Sequence, residues 1–396
     1  PILRLAHAAD LHLGAMPYSI PAREIDIYNV FEEMVEKVIE ERAEVLILAG
    51  DIFDKSVPKN AARRHFRKNL KKLREKGVRV MGILGDHDIP KMFDIPPTAD
   101  IDPEDFLLLE AAPKPKSSLE IIAQRYYHDK ENDLVVTGLV ARKSGRKEHI
   151  AVALKEAERY LKGHRYKVLV LHQAIKEKWP FDATAIPMGL IPRDVDYVAM
   201  GHIHNAHEMR WNAGKLVYPG SIEALRKDEW NGGNKGFYIV DLEGDFVETQ
   251  FVKLERVRPQ GEFRLGEDSI EDMKAFVASC REKPIIHIIV PAKMPKSRYA
   301  SLMDEIRNTT PFRPEDNRVL SIRVYFEKFE EESGGGLTGE PKKVALEEVI
   351  REIAGDKADL IIKLLSISKS DMEKERAVKE LEKRILEWME REDKED

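Results

Sequence analysis

Five short apolar runs within the first 204 residues each end on carboxylate or imidazole side chains. LRLAHAADLH ends in Asp10 and His12, LILAGD in Asp51, and GILGDHD in Asp86, His87 and Asp88. VLVLH ends in His172, and DYVAMGHIH in His202 and His204. Short runs rich in Val, Ile and Leu, broken by glycine, read as buried strands. In open α/β sheets, ligands gather beyond the carboxyl ends of the strands. A chain that repeats this grammar five times is constrained to an α/β fold that aims Asp and His side chains at one rim.

Singly, each signal is weak. A D-x-H turn is ordinary, because short polar residues suit turns, and a lone His172 reads more often as a hydrogen-bonded core histidine than as a ligand. His202 and His204 are more specific, since positions i and i+2 of an extended backbone project the same way. The ordered set carries the chemistry. Imidazole and carboxylate suit divalent ions such as Mn²⁺, Fe²⁺ and Zn²⁺. Two such ions about 3.5–4 Å apart share a carboxylate and clamp both oxygens of a displacement at phosphorus. The single cysteine, Cys280, excludes an intrachain disulfide and argues against a thiolate-rich structural zinc site.

The alternation of strands and helices extends to about residue 255. Strands are expected at Ile2–Ala8, Val45–Ala49, Val78–Leu84, Asp133–Val140, Tyr166–Leu171, Tyr197–Met200 and Lys215–Tyr218, with helices such as Ile27–Arg42 and Ala61–Lys76 between them. A hairpin turning at Glu243-Gly244 closes the unit. Residues 256–330 read as a small α+β domain, 331–341 as a Gly-rich linker (GGG at 334–336), and 342–396 as helical. No apolar run reaches the about 18–20 residues of a membrane span. PILRLAHAAD is not a secretory signal, so the expected location is cytoplasmic and nucleoid-associated. Net charge is −6, so any nucleic-acid surface must be local.

In this order, D-x-H, G-D, G-[N/D]-H-D, H and G-H-x-H resemble the calcineurin-like metallophosphoesterase superfamily. The contexts AADLHLG, AGDIFDKSVP, LGDHD, LHQ, GHIHN and YPGS are similar to the Mre-eleven (SbcD-like) nucleases. That resemblance implies a layered metallophosphoesterase β-sandwich flanked by helices, a small α+β cap and a helical tail. It implies two Mn²⁺ ions, one held by Asp10, His12, Asp51 and His204, the other by Asp51, Asp86, His172 and His202. It also implies a catalytic His87, which does not ligate, with Asp88 orienting it or bracing the turn. Two positions depart from the family. Asp86 stands where Asn is usual, leaving one positive charge fewer at the site, and Asp54 stands where many members carry a DNA-positioning His.

The expected function is a manganese DNA nuclease of double-strand-break repair, a 3′–5′ exonuclease on duplex ends and an endonuclease on single strands. It would work with a Rad-fifty-type coiled-coil ATPase. The alternatives are a protein phosphatase, a cyclic-nucleotide phosphodiesterase, or a weakly catalytic DNA-tethering scaffold. KNAARRHFRKNLKKLREK, residues 59–76, is a basic stripe in which Lys59, Arg63, Arg64, Arg67 and Lys68 are expected to meet DNA. Phe66, Leu70 and Leu73 either cover the chain's own sheet or, as the resemblance implies, form a homodimer bundle with a second helix carrying Phe106 and Leu109. Leu381, Ile385 and Met389 on the tail's apolar stripe are expected to dock the ATPase.

Overall fold

Two six-stranded sheets pack face to face with helices on both outer sides. The computed structural model describes residues 2–89, 96–112, 123–141 and 147–327. The elements of the first half are β1 (Leu3–Ala8), α1 (Pro21–Glu40), β2 (Val45–Ala49), α2 (Asn60–Glu75), β3 (Arg79–Ile83), β4 (Leu107–Leu108), β5 (Tyr126–Asp129), β6 (Leu134–Leu139) and α3 (Lys147–Leu161). Then come β7 (Tyr166–His172), β8 (Tyr197–Gly201), β9 (His207–Trp211), β10 (Gly214–Tyr218), β11 (Gly236–Glu243) and β12 (Phe246–Lys253). One sheet has the order β12-β11-β1-β2-β3-β4, the other β5-β6-β7-β8-β10-β9.

Strands β1 to β4 are mutually parallel, as are β6, β7, β8 and β10. Their carboxyl ends therefore open on the same side of each sheet. Leu5, Ile47, Ile83, Val136, Val168, Val170 and Ala199 fill the space between the sheets. Ile27, Phe31, Met34 and Val38 of α1, with Phe66, Leu70 and Leu73 of α2, cover the outer face of the first sheet. Ile150, Ala153, Leu154 and Ala157 of α3 cover the second.

This packing corrects the expected dimer surface. Phe66, Leu70, Leu73, Phe106 and Leu109 are all at most 3% exposed, and Phe66 meets Phe53 and Phe106 edge-on at 5.4 and 5.8 Å. These five side chains are spent on the chain's own core, the first of the two alternatives expected for them. The segment around Leu107 is also a strand and not a helix. Phe106 and Leu108 point into the helix-side core, Leu107 and Leu109 into the inter-sheet core. A run apolar on both faces conceals that period of two.

The short strands β5 and β9, unexpected from sequence, are polar antiparallel edges. Residues 260–326 build a second, smaller sheet: β13 (Gln260–Arg264), α4 (Ile270–Ser279), β14 (Ile285–Val290), α5 (Lys296–Arg307) and β15 (Ser321–Phe326). All three strands are parallel, so the unit is a βαβαβ layer and not the α+β arrangement expected. It has its own core around Ile286, Ile288, Met303 and Ile306. Glu33 of α1 accepts the backbone N–H groups of Glu255 and Arg256, both at 2.8 Å. Arg258 binds the Asp26 carboxylate, which ties this layer to the first helix. The linker at 331–341 and the tail with Leu381, Ile385 and Met389 lie outside the described residues.

Candidate metal centre

The loops after β1, β2, β3, β7 and β8 meet at one rim, and their ends are tight. Asp10, His12, Asp51 and His202 all have positive φ, at 53, 46, 49 and 90°. Non-glycine residues rarely adopt this region, and each such residue costs on the order of 1–3 kcal/mol unless its surroundings impose it. The glycines explain how the turns close so tightly. A Cβ on Gly85 would lie 2.1 Å from Asp51 Oδ1, and one on Gly50, itself at φ +88°, would lie 2.4 Å from His172 Nδ1.

Two groups of donor atoms result. Asp10, His12 and His204 converge, with His12 Nε2 3.2 Å from His204 Nε2 and His204 Nε2 4.0 Å from Asp10 Oδ1. Asp86, His172 and His202 also converge. His202 Nδ1 lies 3.3 Å and His172 Nε2 4.0 Å from Asp86 Oδ2. Asp51 stands between the groups, its Oδ2 3.6 Å from His12 Nε2 and 3.4 Å from His172 Nε2.

The donor set fits divalent ions. His172 Nε2 is buried without a hydrogen-bond partner, and two imidazole nitrogens facing each other at 3.2 Å suit one shared cation. Burial disfavours charge on His172, yet Asp51 outweighs it and pushes the imidazole up to about 10. Against the same burial, His172 and His12 hold Asp51 well below the usual carboxylate range.

Three of the four remaining ring nitrogens are held by groups that no motif marks. His172 Nδ1 donates to Ala49 O at 2.8 Å. His202 Nε2 lies 2.9 Å from Asp182 Oδ2, and His204 Nδ1 2.9 Å from Glu229 Oε1. Partners of this kind fix which nitrogen faces the metal. Asp182 is itself set by bonds from the Thr184 amide and hydroxyl, and Glu229 by the Leu225 amide. Tyr218 and Ser221 of YPGS brace the rim by bonds to Gln173 O and from the Ser221 amide to His204 O.

Of the two roles expected of Asp88, orienting His87 or bracing the turn, the geometry matches the brace. Its fully buried carboxylate accepts the backbone N–H groups of Ile52, Phe53 and Gly85 at 3.0, 2.8 and 2.9 Å. It therefore pins the loop after Asp51 to the Gly85 turn and does not orient His87. The exposed His87 instead donates through Nδ1 to Asp54 O, at 2.8 Å. A carbonyl only accepts, so Nδ1 carries the proton, and the ring lies edge-on to His12 with centroids 4.8 Å apart. The Asp54 side chain sits 3.6 Å from His12 Nδ1.

The basic face of α2 is largely paired. Lys59 meets Glu24, Lys68 meets Glu32, and Arg63 and Arg67 meet Asp100. Among the described residues Arg64 alone of the five makes no ion pair. Exposed pairs contribute only about 0–1 kcal/mol, so phosphates can exchange into them.

The calcineurin-like phosphoesterase family model matches residues 3–206. The DNA double-strand break repair protein Mre11 of Sulfurisphaera tokodaii is 30% identical over 78% of this chain and 79% of its own length. The Thermoplasma acidophilum protein of that name is 27% identical over 92% and 94%, and the one from Aeropyrum pernix 31% over 74% and 75%. The chain belongs to the Mre11 family of calcineurin-like phosphoesterases. It is thus a metal-dependent phosphoesterase. Calcineurin-like members bind two metals, and the clusters around Asp51 are this Mre11-family chain's candidate ligands.

Proposed function

We propose that this chain is a manganese-dependent DNA nuclease of double-strand-break repair. The observation that carries the reading is Asp51 Oδ2, within 3.6 Å of imidazoles from both donor groups, the position a bridging carboxylate needs. Asp10, His12, Asp51 and His204 would hold one ion, and Asp51, Asp86, His172 and His202 the other. Such a pair supplies a nucleophile from water at neutral pH and polarises the phosphate. The mixed Asp and His set without thiolate accommodates Mn²⁺, the ion proposed here.

The chain's own contribution lies in positioning. Ala49 O, Asp182 and Glu229 orient the ligating rings. His87, locked into one tautomer by Asp54 O, keeps Nε2 free of that bond, and its ring centroid lies 4.8 Å from that of His12. From there it stabilises charge on a phosphate oxygen or, as imidazolium, gives the leaving oxygen its proton. Lys59, Arg63, Arg64, Arg67 and Lys68 provide a phosphate-exchange face, and residues 256–327 serve as a cap over the substrate.

The test is a Mn²⁺-dependent digestion panel of blunt duplex DNA, single-stranded DNA, a phosphopeptide and a cyclic nucleotide. Cleavage confined to both DNAs and abolished by EDTA is expected. Turnover of the phosphopeptide or cyclic nucleotide without DNA cleavage would reassign the substrate.

The partner proposed for the tail is a Rad-fifty-type coiled-coil ATPase, docked through Leu381, Ile385 and Met389. Each buried apolar side chain contributes on the order of 1.5–3 kcal/mol. Changing two of them to Glu should then weaken binding at least about tenfold to a hundredfold. Unchanged binding to the coiled-coil base in calorimetry would place the interface elsewhere.

A further inference from the structure

We propose that His128, Asp133 and His164 form a third divalent-metal site, separate from the catalytic rim and suited to a borderline ion such as Zn²⁺. His128 lies on the edge strand β5, Asp133 ends the β5–β6 turn, and His164 lies in the connection from α3 to β7. The candidate ligand His172 ends β7 and this cluster precedes its start. Six residues of strand at about 3.3 Å each put the two places roughly 20 Å apart.

The geometry brings three donors together. Asp133 Oδ1 lies 2.7 Å from His164 Nδ1 and 3.1 Å from His128 Nε2, and the two rings meet edge-on with centroids 4.7 Å apart. In a tetrahedral zinc site with Zn–N bonds of about 2.0–2.1 Å, ligand atoms stand about 3.3 Å apart. The two oxygen–nitrogen spacings would open by about 0.6 and 0.2 Å to reach that value. One oxygen is otherwise asked to accept from two imidazoles, whereas a single cation satisfies both nitrogens and the oxygen at once.

The donors are also preorganised. The Asp133 backbone is held at φ 54°. Its carbonyl accepts the Tyr166 amide at 3.1 Å, and its Oδ2 accepts the Arg165 amide at 2.9 Å. That leaves Oδ1 turned towards the rings. His128 is fixed by the ladder, opposite Val135 of β6. All three side chains are part-exposed, between 27% and 43%, so an ion can enter from solvent and an open coordination position remains for water. Bound there, a metal staples the β5–β6 hairpin to the connection that feeds β7.

The experiment compares the full chain with His128→Gln and His164→Gln. Glutamine can still donate to Asp133 but is a poor zinc ligand. Equilibrium dialysis against Zn²⁺ with elemental analysis should find one bound ion per chain fewer in each variant, with Mn²⁺-dependent phosphodiester hydrolysis unchanged. Zinc should also raise the Tm of the wild type more than that of either variant. An identical zinc count in all three proteins would overturn the site. A readout without substitution guards against misfolded variants: ring resonances of histidine-labelled wild type during Zn²⁺ titration. Those of His128 and His164 should shift with zinc, and resonances that stay in place would overturn the proposal equally.

Discussion

His202 Nε2 and Asp182 Oδ2 lie 2.9 Å apart, which leaves His202 Nδ1 facing Asp86. The carboxylate thus selects the nitrogen offered to the metal. Removing such a partner typically weakens metal binding about 10–100-fold. Asp182→Ala should do so for one ion of the pair, with Glu229→Gln acting on the other through His204. Calorimetric Mn²⁺ titrations check this, and two unaltered affinities would remove both residues from the site.

His87→Ala should keep both ions and lose chemistry. The ring is held by Asp54 O through Nδ1 and is proposed to act on the substrate instead of an ion, and a positioned acid or charge stabiliser is typically worth about 10²–10⁴ in rate. Metal content and kcat are measured on the same sample. Loss of an ion together with activity would make His87 a ligand.

Asp86→Asn removes one negative charge facing His202 and His172. Phosphodiester attraction should rise and KM fall, while one ion is held less tightly. Kinetics at saturating and limiting Mn²⁺ separate the two effects. Tighter metal binding with poorer DNA affinity would contradict the charge argument.

Asp88 is predicted to act on stability. Burial, with the Asp51 charge adding to it, pushes its carboxyl up to about 7, against three backbone donors that favour the anion. Asp88→Ala orphans those three amides, each costing about 1–3 kcal/mol when buried. Urea midpoints should fall clearly. A variant of unchanged midpoint that lacks only turnover would return Asp88 to a catalytic role.

His7 gives the fold an acid limit. It is fully buried against the Tyr197 hydroxyl, and burial pushes its imidazole down from 6.5 to about 3. Below about pH 6.5 the unfolded chain binds a proton there that the folded chain refuses until near pH 3. Stability from this residue is therefore present above pH 6.5 and is lost as pH falls, by up to about 1.4 kcal/mol per unit. His7→Gln should flatten that slope in metal-free urea titrations between pH 7 and 5. Parallel slopes would contradict it.

The strands β1, β2, β3, β7 and β8 were legible because each couples an apolar run to a polar stop, a pattern local to about ten residues. β4 was not, since a stretch buried on both faces shows no alternation. The polar edges β5 and β9 lack the apolar run altogether. Asp182 and Glu229 lie 20 and 25 residues from the histidines they hold, in loops where an acid is unremarkable.

The amino-acid order by itself determined the family and the α/β class, and it marked seven candidate donor side chains at strand ends, because strand ends and their next residues are covalent neighbours. Tertiary structure alone decided what each side chain faces. Asp88 turns to three amides instead of His87, and Phe66 and Leu70 turn to their own core instead of a second chain. Asp51 comes between imidazoles 39 residues before it and 121 after it in sequence. Hydrogen bonds, ion pairs and apolar contacts act over a few ångströms of space, and sequence distance does not fix which groups come that close.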